Sequence, residues 1–308
     1  MLGTPLGCVG AKGASLGFLS SVDGPIPQRG SRVLISPFIA QAIDSQKRGL
    51  DALVLGYDRK IRLGRMDIRL LPSGFGPGSA QLEVSLKGQK IGLVSTLRFS
   101  QPLAAPSLVV PSCELLLIDV ESAQPKPPAP KRVATRMLEW VTEVLEDGRT
   151  PVLSVPSRSA ALEVAWVLRS GEMSVKASRP VFEMLRRVAP FGYAITKLRR
   201  FDGRVHSGDV VVRMASGTSP RDGNKSFDLG NAALAYAGPG RDIPTWAELG
   251  FRLGESEDRP GIVKFVKQTG ASTVALGPRC DPEIGLALQK VGLEVYRVRR
   301  PSQTEFPF

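Results

Sequence analysis

Histidine is nearly absent from this sequence, and its scarcity narrows the possible chemistry more than any other feature. The 308 residues contain one histidine, His206, within the polar stretch RRFDGRVHSGDVVV. A protein zinc site takes three or four histidine, cysteine or carboxylate ligands, and a serine hydrolase triad takes a histidine base. The polar surroundings of His206, ahead of a predicted strand, indicate a loop position. The composition therefore argues against a histidine-based zinc centre, and we expect no metal and no other cofactor.

Cysteine and long hydrophobic runs are also scarce. The three cysteines, Cys8, Cys113 and Cys280, are far apart and odd in number. This pattern argues against a disulfide framework and fits a reducing compartment. No apolar run approaches the roughly 20 residues that span a bilayer. The apolar N-terminus is interrupted by glycines and Lys12, unlike a signal peptide. We expect a cytoplasmic protein with no membrane partner.

Positive charge is abundant by comparison. Lys and Arg number 41 against 29 Asp and Glu, for a formal net charge of +12. Such an excess favours polyanionic partners, above all DNA or RNA, although charge spread thinly over a surface also serves solubility. The basic residues cluster at Arg59/Lys60/Arg62/Arg65, Lys131/Arg132/Arg136, Arg186/Arg187, Lys197/Arg199/Arg200/Arg204 and Arg297/Arg299/Arg300. We predict a nucleic-acid partner, with Arg199 and Arg200 among the contacts.

A proline-rich segment divides the chain. ESAQPKPPAPKR, residues 121–132, contains four prolines in six residues and excludes both helix and central strand. Residues 31–99 before it read mostly as strands, with one helix in PFIAQAIDSQKRG ending near Gly49. Beyond it, alternating strands and helices predict an α/β unit with a parallel sheet. We therefore predict three parts: 1–122, an inserted unit at 123–245, and a return to the first unit at 246–308.

Two helices of the predicted insert have clear signals. KRVATRMLEWVTEVLEDG is amphipathic and places five apolar side chains on one face. Ser157 is a candidate N-cap for the following helix, SRSAALEVAWVLRSG. The five apolar residues are Val133, Met137, Trp140, Val141 and Val144.

Five short motifs carry a resemblance to a known family. Residues 72–81 read PSGFGPGSAQ, a glycine-dense turn between two predicted strands with Phe75 at its centre. The others are STLR at 95–98, CELLLIDVE at 113–121 and LGESEDRPGIVKFVKQTGA at 253–271, followed by LGPR at 276–279. In these motifs the chain resembles metallo-β-lactamase fold nucleases with a β-CASP insert. Among them it is most similar to the ligase-associated DNA exonuclease (mRNA 3′-end processing factor-like) family, over about residues 31–300.

The resemblance implies an αββα sandwich with an inserted β-CASP α/β subdomain and a two-zinc nuclease site. The positions that match the family's metal ligands carry Phe75, Leu97, Ser256 and Pro278. Phenylalanine, leucine and proline side chains offer no lone pair, and a serine hydroxyl is a weak zinc ligand. We therefore expect a catalytically inactive nuclease homologue. Phe75 either plugs the emptied pocket or offers a base a stacking surface.

A few acidic residues remain near these positions. Asp119 matches an acidic position of the family. In the matching N-terminal loop, residues 18–30, Asp23 is the one residue whose side chain could bind a metal. Together with Glu255 and Asp258 they can hold Mg²⁺ or Mn²⁺, which accept oxygen ligands. Alternatively they are structural, since Asp258 stands where it would cap a proline-started helix.

Three arginines adjoin the lost metal positions: Arg98, Arg259 and Arg279. In the family, nucleic acid runs between the two units, so these guanidinium groups are candidate phosphate contacts. The predicted function is a nucleic-acid-associated scaffold or subunit, with an active nuclease or a repair or processing protein as the expected protein partner. The alternatives are an interaction module for an acidic protein and a residual divalent-metal hydrolase that uses the carboxylates.

Overall fold

The computed structural model describes residues 6–8, 16–57, 59–100, 102–123, 126–215, 231–240 and 242–298. Over these residues the protein is a mixed α/β fold with three sheets and six α-helices. The helices are α1 (Pro37–Ala42), α2 (Pro130–Glu146), α3 (Arg158–Ser170), α4 (Arg179–Val188), α5 (Arg259–Thr269) and α6 (Pro282–Gln289). No described helix is both long and apolar enough to cross a membrane.

One sheet has seven described strands and mixed directions. Its order is β17-β16-β9-β8-β7-β6-β5, with antiparallel pairs from β5 to β8 and parallel pairs from β8 to β17. The strands are β5 (Lys60–Leu63), β6 (Met66–Pro72), β7 (Ala80–Leu86), β8 (Gln89–Val94), β9 (Leu115–Ile118), β16 (Thr273–Leu276) and β17 (Glu294–Arg297).

A second sheet of four parallel strands packs face to face on the first. Its strands are β1 (Leu6–Cys8), β2 (Leu16–Phe18), β3 (Arg32–Ile35) and β4 (Asp51–Val54). The alternation along β3 shows how: Leu34 packs against strands β6 to β8, whereas Val33 and Ile35 point to the opposite face. Period-two alternation sends successive side chains to opposite faces of a sheet.

Helices cover the outer faces of this pair of sheets. On the seven-stranded side, Phe265 of α5 and Ile284 of α6 pack on Leu116 and Leu276. On the four-stranded side, Phe38 and other residues of α1 share a core with α2, α3 and α4. The result is four layers in the order helix, sheet, sheet, helix, each layer burying the apolar face of its neighbour.

The third sheet contains six parallel strands and belongs to the segment after the proline-rich linker. Its order is β12-β11-β13-β10-β14-β15. The strands are β10 (Thr150–Val155), β11 (Ser174–Ala177), β12 (Leu198–Arg200), β13 (Asp209–Met214), β14 (Ala232–Gly238) and β15 (Leu249–Arg252). A parallel sheet here agrees with the strand–helix alternation in the sequence.

The predicted boundary at residue 245 is too early for this sheet. Strand β15 pairs in parallel with β14, so the six-stranded sheet continues to Arg252. The sequence gives β15 weak strand signals because Gly250 lies in its centre. That glycine packs under Ile243, where an added Cβ would lie 2.6 Å from Ile243 Cγ1.

The helix predicted to end near Gly49 is shorter than expected. Helix α1 ends at Ala42, and the chain then turns, with Asp44 at φ 58° and Gly49 at φ 64°. Its N-cap is Ser36, whose Oγ accepts from Ile39 N. The apolar spacing that suggested a longer helix still buries Ile43, because that residue joins the same core.

Candidate functional site

A cleft of about 1050 Å³ opens at the carboxyl ends of strands from all three sheets. Register aligns the ends of β8, β9 and β16, since Val94 pairs with Ile118 and Ile118 with Leu276. The loops that follow these strands therefore reach the same space. Ser157 after β10, Gly240 after β14 and Gly254 after β15 close the other side. Ligand sites of open α/β sheets lie at this edge.

The cleft collects most of the positions that the sequence motifs singled out. Asp23, Phe75, Asp119, Ser256 and Pro278 all line it, although they come from distant parts of the chain. Leu97 does not line it. Its side chain is fully buried among Val94, Phe265 and their neighbours, and Ser95 and Thr96 face the cleft instead.

Phe75 lines the cleft as a largely buried side chain. Only 7% of the residue is exposed. A ring enclosed to this extent offers no free face to a nucleobase, so the geometry favours the plug over the stacking platform.

Two of the three glycines around Phe75, Gly74 and Gly78, are required by packing and backbone conformation. Gly74 and Gly78 have φ of 68° and 72°, a region that side chains rarely adopt. A Cβ on Gly74 would lie 2.2 Å from the carbonyl oxygen of Arg98, and one on Gly78 would lie 2.7 Å from Phe38 Cβ. Ser36 Oγ also donates to the Gly78 carbonyl at 2.7 Å. These contacts explain the glycine-dense turn without a ligand.

Asp119 is held by Arg279. Its Oδ1 accepts from Arg279 N at 2.8 Å, and its Oδ2 accepts from Arg279 Nε at 2.9 Å. Arg279 Nη2 also donates to the Asp119 carbonyl at 2.5 Å. Gly277 allows this approach, because a Cβ there would lie 2.4 Å from Asp119 Oδ1. The Arg279 guanidinium and backbone N–H thus engage both carboxylate oxygens of Asp119.

Asp23 and Asp258 serve helix N-termini. Asp23 Oδ1 accepts from Arg158 N at 2.8 Å and from Ser159 N at 3.1 Å, which joins the loop after β2 to helix α3. Ser157 adds its own cap to α3, as its sequence position predicted. Asp258 Oδ1 accepts from Gly261 N at 2.9 Å and is the N-cap of α5. Carboxylates in these positions satisfy backbone donors that the helices leave free.

The cleft is acidic rather than basic. Its lining contains five carboxylate residues and one guanidinium, that of Arg279: Asp23, Asp119, Glu121, Glu255 and Asp281 are the acids. Within the described part of the chain, no three His, Cys, Asp or Glu residues converge as metal ligands. Arginines pair with three of these carboxylates, Asp119, Glu255 and Asp281, and Arg279 is itself one of the partners, so the described lining offers a phosphate group no unpaired positive charge.

Most of the arginines predicted to bind phosphate are engaged by carboxylates. Arg259 pairs with Asp281 at 2.8 Å and also with Glu283, and Arg199 pairs with Asp209 at 2.6 Å. Their charges are consequently neutralised within the protein.

Arg98 and Arg200 lie in opposite environments. The side chain of Arg98 is 1% exposed, so the prediction that it contacts nucleic acid is wrong for this structure. Its Nη1 lies 3.5 Å from Glu163 Oε1 inside the protein, because the segment after β8 runs beneath helix α3. Arg200, in the edge strand β12, is exposed and is not among the residues that line the cleft. Arg299 and Arg300 lie outside the described residues.

Glu163 is a buried acidic residue that the sequence motifs did not single out. It lies on α3 within an otherwise apolar helix face, where an acid gives no periodicity signal. Burial raises the pKa of its carboxyl group to about 7, although Arg98 opposes the rise. Its Oε2 is buried and makes no hydrogen bond.

Fold and cleft together define a mixed α/β protein with a cleft at the carboxyl ends of its strands. No family model matches the chain, and no curated protein matches it. The chain is similar to the crystal structure of a protein of unknown function from Enterococcus faecalis V583, at a TM-score of 0.64 and 9% identity. The similarity covers 92% of this chain and 79% of that one, and at this identity it shows the fold alone.

Proposed function

We propose that this protein is a catalytically inactive relative of the metallo-β-lactamase/β-CASP nucleases and acts as a nucleic-acid-associated scaffold or subunit. One observation carries the proposal. Residues at five positions that the resemblance assigns to the nuclease site converge on one cleft, yet they supply no set of metal ligands. The convergence of positions from distant parts of the chain supports the resemblance.

The architecture supports the same assignment. The resemblance implies an αββα sandwich interrupted by an α/β insert with a parallel sheet. The four layers, with a six-stranded parallel sheet between β9 and β16 in the chain, fit that arrangement.

The residual hydrolase is the weaker alternative. Asp119 is engaged by Arg279, while Asp23 and Asp258 accept hydrogen bonds from helix N-termini. A divalent cation would have to replace all of these contacts before it could gather three carboxylates. Divalent-dependent cleavage that both Asp119→Ala and Asp258→Ala abolish would favour this alternative, and cleavage that neither change affects would point to contamination.

The test of the proposal combines metal content with nucleic-acid binding. We expect the purified protein to carry no stoichiometric zinc by elemental analysis. In filter binding, single-stranded and double-stranded DNA and RNA are compared over a salt series, and we expect binding that weakens as salt rises. Stoichiometric zinc, or weak binding without salt dependence, would overturn the proposal.

An acidic protein partner is the remaining alternative, and a pull-down separates it from nucleic-acid binding. An association that survives nuclease digestion indicates direct protein contact. We expect digestion to release the partners that reach the protein through nucleic acid.

A further inference from the structure

We propose that single-stranded nucleic acid binds in a second groove beside the acidic cleft, at the start of helix α2. This inference rests on the proposed function and names the surface that performs it. The α2 groove, as we call it, is formed by Arg132, Arg136, Tyr236, Ile243, Phe251 and Arg252. Gly240 lines both the α2 groove and the cleft, so the two are adjacent.

The shape of the α2 groove suits one flat ring and its flanking phosphates. Its volume is about 280 Å³, at the small end of the range for ligand pockets. Buried Val133 and Phe251 lie beneath it. Ile243 forms a wall by packing over Gly250, where a Cβ would lie 2.6 Å away. A duplex, with its bases paired inside, cannot place a base in so narrow a space.

The α2 groove carries unpaired positive charge, which the cleft lacks. Arg132 and Arg136 are exposed and lie one helical turn apart on α2. Neither guanidinium pairs with a carboxylate among the residues that the structure describes. Arg252 adds a third guanidinium, paired with Glu255 at 2.8 Å, and Asp242 is the one carboxylate residue in the lining. Two uncompensated positive charges on one face attract a phosphate backbone.

An aromatic surface accompanies these charges. Tyr236 is partly exposed, and its ring lies edge-on to Trp246 with centroids 6.4 Å apart. Ile243 is 47% exposed across the groove. Bases of a single strand stack on such side chains without regard to sequence, while arginines neutralise the phosphates. An acidic peptide would satisfy the arginines but would leave the aromatic surface unused.

The first test reverses the charge of the α2 groove. Arg132→Glu/Arg136→Glu is compared with the matched control Lys267→Glu/Lys290→Glu, which makes the same change in net charge at two exposed positions, one on α5 and one next to the end of α6. Binding of a fluorescent oligothymidylate is followed by anisotropy over a salt series. We expect the groove variant to bind the oligothymidylate about 10-fold more weakly. The slope of log binding constant against log salt concentration should become shallower by about 1.4, which is about 0.7 for each lost phosphate contact. The control should stay within about twofold of wild type.

The second test addresses stacking. Tyr236→Ala should weaken oligothymidylate binding by about 10-fold at unchanged salt slope, whereas Tyr236→Phe should bind as wild type does. Trp246, next to Tyr236, should change its fluorescence when the oligonucleotide binds. Duplex DNA of equal length should bind less tightly than the single strand.

The outcomes separate the two proposals. A wild-type protein that binds no oligonucleotide overturns the proposed function together with the groove. Normal wild-type binding that the groove and control variants reduce equally overturns the groove alone. Poly-glutamate is the competitor that tests for an acidic peptide. The groove would be assigned to an acidic peptide if poly-glutamate displaced the oligothymidylate, and if its own affinity fell as much as that of the oligothymidylate in Arg132→Glu/Arg136→Glu but was unchanged in Tyr236→Ala.

Discussion

At the scale of single residues, Glu163 combines burial, a raised pKa and a carboxylate oxygen without a hydrogen bond. Its carboxylate lies on α3 against Arg98, which follows β8, and it is 5% exposed. The two side chains thus join the inserted unit to the seven-stranded sheet. Removing one partner of a buried ion pair leaves the other charge uncompensated. We infer that the pair fixes how the insert sits over the cleft.

The raised pKa of Glu163 predicts a pH-dependent stability. Burial raises the pKa of the folded protein's carboxyl group from 4.5 to about 7, so the folded state holds the proton more tightly than the unfolded chain does. The associated stability is fully present below about pH 4.5 and is lost as pH rises through about 7. At most it amounts to about 3 kcal/mol. Glu163→Gln should flatten the dependence of unfolding free energy on pH between about 5 and 8, measured by urea denaturation.

The control for this prediction is Glu143→Gln. Glu143 is exposed on α2, so its replacement should leave the pH dependence as in wild type. An unchanged slope in Glu163→Gln would mean that another group titrates in this range.

At the scale of elements, the turn between β6 and β7 contains two glycines that the backbone and packing require and one that they do not. Gly74 and Gly78 combine positive φ with contacts that leave no room for a Cβ. At Gly76, between them, the nearest atom to an added Cβ is Ser79 Oγ at 4.0 Å. Sequence alone shows three glycines of equal appearance, and the tertiary contacts distinguish them.

Alanine substitutions test this distinction. We expect Gly74→Ala and Gly78→Ala each to lower the unfolding free energy by about 2 kcal/mol or more, from left-handed backbone strain and steric overlap. Gly76→Ala should stay within about 0.5 kcal/mol of wild type. Denaturant unfolding of the three variants measures the difference, and equal losses at all three positions would contradict the packing explanation.

Regular elements were predictable where local signals agree. The strands predicted on either side of PSGFGPGSAQ, MDIRLLP and AQLEVSL, match β6 and β7 at both ends. Of the five apolar residues predicted on one face of α2, four are buried and Trp140 is partly buried. Local patterns did not predict seven of the described strands, which are short or rich in alanine and glycine: β1, β2, β5, β11, β12, β14 and β15. Such strands form because neighbouring strands pair with them, and pairing across the chain leaves no local pattern.

At the scale of the whole molecule, the insert is not an independent body. Phe38 of α1 lies edge-on to Phe191 and Tyr193 of the insert, with centroids 5.3 and 5.4 Å apart. Helix α1 shares one buried apolar cluster with α2, α3 and α4. Asp23 adds a polar link by capping α3. An interface of this kind couples the folding of the two units.

Thermal unfolding should therefore be a single cooperative transition. In differential scanning calorimetry we expect one peak with equal calorimetric and van't Hoff enthalpies, because opening the insert would expose the shared core. Two resolved peaks, or a calorimetric enthalpy well above the van't Hoff value, would show that the units unfold separately.

The sequence by itself determined what the chemistry lacks and where regular elements form. The single histidine, and the presence of Phe75, Ser256 and Pro278 at their positions in the motifs, are read directly from the sequence, and no fold can change them. Only the tertiary structure decided which charges remain free. It buries Arg98 against Glu163, because ion pairing depends on contacts between residues far apart in the chain. For the same reason Arg132 and Arg136, ordinary members of one basic cluster, became the uncompensated pair beside the cleft.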